Sequence, residues 1–244
     1  MSQIVIDGML TNYQVFGDGE ALLILPGWRR PIGEWIPIAK SLSNKYKVVL
    51  LDLPGFGTTA LPETAFGVFE YVDFVKKFLD KLKIEKCIIL GHSFGGRLAI
   101  VLASEEKIVS KLILVDSAGI ENKSLYAKLM RILRIIFSPI LRILPLSIKD
   151  KISNFIGSGD YKTAGNMRKI FVKVVNQDLR SFLPKIKIPT FIIWGDKDKT
   201  QPVSQTKIFK QGIKDSKVRI VWGAAHDPHL QKTEQLMAIL KDVL

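Results

Sequence analysis

One cysteine and three histidines in 244 residues leave few chemistries open. The single thiol, Cys87, has no internal disulfide partner, and it lies in an apolar run where a small buried hydrophobe is the ordinary role. That usage fits a reducing compartment. The chain carries no cluster of His and Cys at metal-ligand spacing and no dinucleotide fingerprint, so neither metal nor cofactor is expected. The stretches Gly17-Asp18-Gly19 and Gly55-Phe56-Gly57 read as turns rather than phosphate loops. The opening MSQIVIDGML lacks a basic leader followed by an apolar block; no secretory signal is expected, and the expected compartment is the cytoplasm. There is no fixed-period repeat and no low-complexity tract. The most apolar segment, 125–148, holds Lys128, Arg131, Arg134 and Arg142 together with Pro139 and Pro145, which makes it a poor membrane span.

What the chain does have is a hydrophobic content of 47% against 24% charged residues, enough for a sizeable core in one α/β unit. Net charge is +13. Residues 121–180 hold twelve Lys/Arg against four Asp/Glu, a net of +8, so a quarter of the chain carries more than half of the excess.

The chain opens with a hairpin over 3–16, turning at Asp7-Gly8. Short apolar runs then alternate with helical patterns. Strands are expected at 21–25, 47–51, 86–90, 111–115, 190–194 and 217–222, and helices at 32–43, 67–83, 95–106, 202–211 and 229–243. In 67–83 the apolar stripe comprises Phe69, Val72, Val75, Phe78, Leu79 and Leu82. Apolar runs that do not alternate with polar residues mark strands buried on both faces. The order predicts a mostly parallel sheet with helices on both faces, and ligands bind at the carboxyl ends of such strands.

At one of these ends stands CIILGHSFGG, residues 87–96. Ser93 falls where a strand turns into a helix, a tight turn that lifts its side chain above the sheet. Gly91 and Gly95 supply the room, and the first N–H groups of the helix favour negative charge near the hydroxyl. A serine hydroxyl needs a base, and the base needs an orienting acid. His226, in WGAAHDPH after the last strand, lies at the same edge and is the chosen base; His92 reads as a packed turn residue and His229 as a helix-start residue near the pocket rim. For the acid, Asp198 after the strand 190–194 is chosen. Asp196 more naturally caps its turn, and Asp116 after the strand 111–115 is a third candidate. An oxyanion needs donors, and the backbone N–H groups of Phe94 and of Trp28, in LPGWRR, are the ones in reach. Arg97 could meet a substrate carboxylate, though a solvated residue on a first helical turn is the preferred reading.

Together, LPGW, DLPGFGTT, GHSFGG, IPTFIIWGDKD and GAAHDPHLQKTEQL resemble the α/β-hydrolase superfamily, in particular its small capped esterases, lactonases and carbon–carbon bond hydrolases. The likeness spans 21–236. It implies Ser93 as nucleophile, His226 as base, Asp198 as acid and Trp28 and Phe94 as oxyanion donors, on an α/β-hydrolase fold with a helical cap. The family usually has His-Gly where this chain has Pro26-Gly27. A serine nucleophile argues against the dehalogenase and epoxide hydrolase branches.

The resemblance places the cap at 121–183, between core segments 1–120 and 184–244. Leu125, Leu129, Ile132, Leu133, Ile136 and Phe137 fill one face of its first helical stretch and the basic residues the other. The chosen reading is a lid whose apolar face lines the pocket. Peripheral contact with anionic membranes is the second reading, and nucleic acid is set aside because no reader motif accompanies the charge. The expected partner is a small ester or lactone; a carbon–carbon bond hydrolase of diketone acids and a non-catalytic binding module are the alternatives.

Overall fold

In the computed structural model, which describes residues 2–105, 107–120 and 164–244, the apolar runs become one eight-stranded sheet. Its strands are β1 (Ser2–Ile6), β2 (Met9–Phe16), β3 (Glu20–Leu25), β4 (Tyr46–Leu51), β5 (Cys87–His92), β6 (Val109–Val115), β7 (Thr190–Gly195) and β8 (Lys217–Val221). They lie in the order β1-β2-β4-β3-β5-β6-β7-β8. β1 and β2 form the expected antiparallel hairpin, and β2 runs antiparallel to β4. Every later pair is parallel.

Successive side chains of a strand face opposite sides, so each apolar run feeds two cores. On one face Leu23, Leu25, Val49, Leu51, Ile89, Leu112, Leu114 and Trp194 pack beneath α2 (Val68–Lys81) and α3 (Phe94–Glu105). On the other face Leu22, Ile24, Val48, Leu50, Ile88, Leu90, Ile113 and Ile193 pack against α1 (Ile36–Leu42) and the last helix. Each such side chain, fully buried, contributes about 1.5–3 kcal/mol. Among the described residues three further helices are α4 (Arg168–Val175), α5 (Gln205–Gly212) and α6 (Pro228–Gln231), and the last is α7 (Thr233–Val243).

Several expectations change. The helix foreseen at 229–243 is two pieces, α6 and α7, because Lys232 between them leaves helical geometry at φ −141°, ψ 49°. The one foreseen at 32–43 begins as a 3₁₀ turn over Ile32–Trp35. Phe69 does not belong to the buried stripe of α2: it is 46% exposed and touches the ring of Phe182, since Val68, Tyr71, Val72, Phe74, Val75, Phe78 and Leu79 already fill the inward face. Of the insertion expected at 121–183, residues 121–163 lie outside the described residues; its end contains α4 and the start of a 3₁₀ stretch over Arg180–Lys185. No helix among the described residues is long and apolar enough to cross a membrane.

Candidate active site

Four loops leave the carboxyl ends of β3, β5, β7 and β8, and each brings one part of the site. The β5–α3 turn places Ser93 at φ 48°, a left-handed conformation that costs a residue with a Cβ about 1–3 kcal/mol. The neighbourhood compensates. Ser93 N–H donates to the Val115 carbonyl at 3.1 Å, and its own carbonyl accepts from Gly96 and Ala118 N–H, each at 3.0 Å. The glycines permit the close approach this requires. A Cβ at Gly91 would stand 2.6 Å from the Gly95 carbonyl oxygen, and one at Gly95 would stand 2.1 Å from that of Leu25. Gly96, which the sequence reading did not single out, is equally constrained: a Cβ there would meet Ser117 Oγ at 2.1 Å. The doubled glycine at 95–96 was the available signal.

From the loop after β8, His226 reaches back to the turn. Its Nε2 lies 2.8 Å from Ser93 Oγ and its Nδ1 2.7 Å from Asp198 Oδ2. Nδ1–H donating to the carboxylate leaves Nε2 as the acceptor for the serine hydroxyl. Asp198 Oδ1 accepts from the N–H groups of Thr200, at 2.7 Å, and Gln201, at 2.9 Å. Burial alone would raise the Asp198 carboxyl, but the His226 ring and these donors outweigh it and hold Asp198 below the usual carboxylate range.

The other acid candidates go elsewhere. Asp196 accepts the N–H of Gly223 and ties the end of β7 to the turn after β8. Asp116 is fully buried and its Oδ1 accepts the N–H of Gly195 at 2.9 Å. Burial and the adjacent Asp198 charge, only partly offset by the Gly195 N–H, push it up to about 9.

The remaining histidines sit behind His226. His92 donates from Nε2 to the His226 carbonyl at 2.8 Å, and its ring is buried. His229 is 2% exposed, not at a rim as the sequence suggested; it stacks on Trp35 with ring centroids 4.3 Å apart and 7° between planes. Burial, then the cost of adding a charge beside the adjacent histidine rings and Arg30, lowers His92 to about 4 and His229 to about 2, so both are neutral. Arg30 braces this region, pairing with Glu34 at 3.2 Å and closely with Asp227. Nothing local in the sequence marks that bridge, which joins residues 197 apart.

Among the described residues two sets of donor atoms lie within 4.8 Å of one another: Asp116, Asp198 and His226, and His92, Asp227 and His229. Both are engaged only in part: Asp116 Oδ2, His92 Nδ1, Asp227 Oδ1 and His229 Nδ1 are buried without a hydrogen-bond partner. Asp198 holds His226 and two amides, Asp227 holds Arg30, and His92 holds the His226 carbonyl.

Trp28 and Phe94 flank Ser93 on one cavity of about 350 Å³, with their rings edge to face at 5.4 Å. Phe94 is the first residue of α3, so its N–H has no partner within that helix. The two loops are stitched by Gly95 N–H, which donates to the Pro26 carbonyl at 3.0 Å. Phe171 of α4 packs on Trp28 at 5.1 Å and, with Val174 and Ile120, walls the same cavity. Arg97 is not a solvated residue. It is 7% exposed and lines the cavity, and its Nη1 donates to the carbonyls of Val174, at 3.1 Å, and Gln177, at 2.8 Å. Burial lowers it to about 10.

A family model described as the alpha/beta hydrolase fold matches residues 20–146. The chain belongs to the alpha/beta hydrolase family. Among the relatives of this alpha/beta hydrolase, a pimeloyl-acyl-carrier-protein methyl ester esterase of Nitrosospira multiformis is 29% identical over 265 residues, covering 95% of this chain and 97% of the esterase. Monoacylglycerol lipase ABHD6 of Mus musculus is 26% identical over 256 residues, covering 93% of this chain and 76% of the lipase. Among solved structures, a bacterial membrane phospholipase A superposes with a TM-score of 0.80 at 24% identity, covering 99% of this chain and 84% of the other. The bromoperoxidase of Bacillus anthracis gives 0.79 at 19% identity, covering 99% of each chain. At such identities these structures speak for the fold alone.

Proposed function

We propose that this alpha/beta hydrolase is a cofactor-independent serine hydrolase of carboxylic esters. The observation that carries the reading is the relay Ser93 Oγ–His226 Nε2 at 2.8 Å and His226 Nδ1–Asp198 Oδ2 at 2.7 Å. Ser93 Oγ attacks the ester carbonyl and His226 Nε2 takes its proton. The carbonyl oxygen becomes an oxyanion held by the N–H groups of Trp28 and Phe94, each such donor contributing about 2.7–4 kcal/mol to the barrier reduction. His226 returns the proton to the leaving alcohol, and the acyl group stays on Ser93. Water, activated by the same ring, releases the acid. Asp198 keeps the ring in the required tautomer throughout.

The esterase and lipase names of the relatives support ester bonds as the target. The walls Trp28, Phe94, Ile120, Phe171 and Val174 suit an acyl chain, and lactones fit the same machinery. A diketone-acid hydrolase would need a cation free for a carboxylate; Nη1 of Arg97 is committed to two carbonyls, and among the described residues Lys199 is the other cation on the cavity wall. We assign residues 121–183 to a lid, with α4 as its described part.

A panel of p-nitrophenyl esters and lactones, with a serine-directed phosphonate and mass spectrometry, tests the reading. Label is expected on Ser93, and Ser93→Ala should lower kcat/KM on the order of 10⁴-fold or more. A Ser93→Ala variant with the wild-type rate, or label on another residue, refutes it.

A further inference from the structure

Asp116 closes β6 beside the relay but takes no part in the mechanism above. Its backbone is held: φ is 42°, and its N–H donates to the Ile193 carbonyl at 3.0 Å. Its side chain is fully buried, with Oδ1 accepting from Gly195 N–H and Oδ2 buried without any donor to accept from. An Asp116 oxygen, an Asp198 oxygen and a His226 nitrogen lie within 4.8 Å of one another. Two ionised carboxyls so close, out of water, repel strongly, and such a pair keeps one proton between them. Asp198 accepts from two amides and the His226 ring, whereas Asp116 accepts from one amide. The ionised form therefore belongs to Asp198 and the proton to Asp116.

We propose that Asp116 is a positioning residue: a neutral carboxylic acid whose Oδ2–H donates to Asp198, bracing that carboxylate and tempering its pull on the His226 proton. The proposal rests on the Ser93–His226–Asp198 reading above. It accounts for the orphaned Oδ2, which is a donor rather than an unmatched acceptor. Burial and the Asp198 charge push Asp116 in the same direction. The groups that face this cluster are Asp198 from the loop after β7, His226 and Asp227 from the loop after β8, and His92 from β5, with Arg30 behind Asp227.

The sign follows from the donor. Without it the Asp198 charge is less stabilised, so the His226 imidazolium that neutralises it is favoured, and the acid limb of kcat/KM moves to higher pH. If Asp116 were instead ionised, removing it would move the limb to lower pH.

The experiment is the pH profile of kcat/KM on a p-nitrophenyl ester for wild type, Asp116→Ala, Asp116→Asn and Asp198→Asn, with infrared difference spectra at neutral pH. Asp116→Ala is expected to raise the acid limb by about one pH unit. Asp116→Asn, whose amide can donate in place of the acid, should restore the limb to its wild-type position. A protonated-carboxyl band present in wild type should be missing from Asp116→Asn. That band and the Asn limb decide if the Ala variant does not fold. A limb that Asp116→Ala leaves in place or lowers, or a band unchanged in Asp116→Asn, overturns the proposal. Asp198→Asn separates the two readings: a large loss there alongside unresponsive Asp116 variants overturns only the role of Asp116. A wild-type rate in Asp198→Asn removes the underlying relay.

Discussion

Replacing Gly95 with alanine adds a single methyl group where the backbone leaves none. The new Cβ would stand 2.1 Å from the Leu25 carbonyl oxygen, 2.5 Å from its carbon and 2.8 Å from Leu25 Cβ, and real Cβ atoms essentially never approach a neighbour within 3.0 Å. Relief requires about 0.9 Å of separation between two backbone segments, the end of β3 and the start of α3. No flexible side chain can absorb it. Leu25 is followed at once by Pro26, whose carbonyl accepts the Gly95 N–H, so the shift moves the Trp28 loop relative to the Ser93 turn. A misplacement near 1 Å costs about 10²-fold in rate, and overpacking costs about 1–3 kcal/mol. For a chain of this size that corresponds to a Tm lowered by about 2–12 °C. Ester turnover and a thermal melt read the two effects separately. Gly33→Ala is the control, because a Cβ there meets nothing within 4 Å; it should be neutral or slightly stabilising. A Gly95→Ala enzyme with kcat/KM within about threefold of wild type and an unchanged Tm would refute the close packing of these two segments.

Two further outcomes follow from buried groups. Arg97→Met removes the guanidinium that ties the carbonyls of Val174 and Gln177 to α3; each charged hydrogen bond is worth about 1.5–3 kcal/mol. Tm should fall, and KM should rise more than kcat drops, because the cavity wall loosens while the relay stays; kinetics with intact KM would contradict this. His229→Phe keeps the stack on Trp35 but abolishes a titration. Folded His229 stays neutral to about pH 2, whereas the unfolded ring takes up a proton near 6.5, so the stability it contributes is fully present above pH 6.5 and lost as pH falls. His92 acts in the same sense down to about pH 4, and Asp116, protonated in the fold up to about 9, acts in the opposite sense. Between pH 6 and 4 the stability of His229→Phe should therefore depend on pH less steeply than wild type by about 1.4 kcal/mol per pH unit, measured by denaturant unfolding. Parallel slopes in the two proteins would mean that His229 is not buried as a neutral ring.

Strands, their order of appearance and the serine turn were legible because they depend on short-range pattern. An apolar run without alternation, such as Ala21–Leu25 or Cys87–Leu90, has only one low-energy place, between two layers. The glycines around Ser93 report a local backbone need that any reader of 91–95 can see. Phe69 misled for the opposite reason: helical periodicity names a stripe, but which edge of the stripe reaches solvent depends on the neighbouring elements. The break at Lys232 had no marker of its own.

The candidate site divides along the same line. The residue types at three strand ends make an alcohol, an imidazole and a carboxylate available. Their separations of 2.8 and 2.7 Å are properties of the folded sheet. Choosing among Asp116, Asp196 and Asp198 was a matter of plausibility in one dimension; in three, one bonds the ring, one bonds Gly223 and one lies buried next to the first. Arg97 and His229 were read as solvent-facing or peripheral because nothing nearby in the sequence offers them partners; those partners come from α4 and from Trp35, far along the chain. Local sequence determined which elements form and which side chains stand at their ends. Tertiary structure alone decided which of those ends meet and which charges are stripped of water. Burial and proximity arise only when distant segments pack.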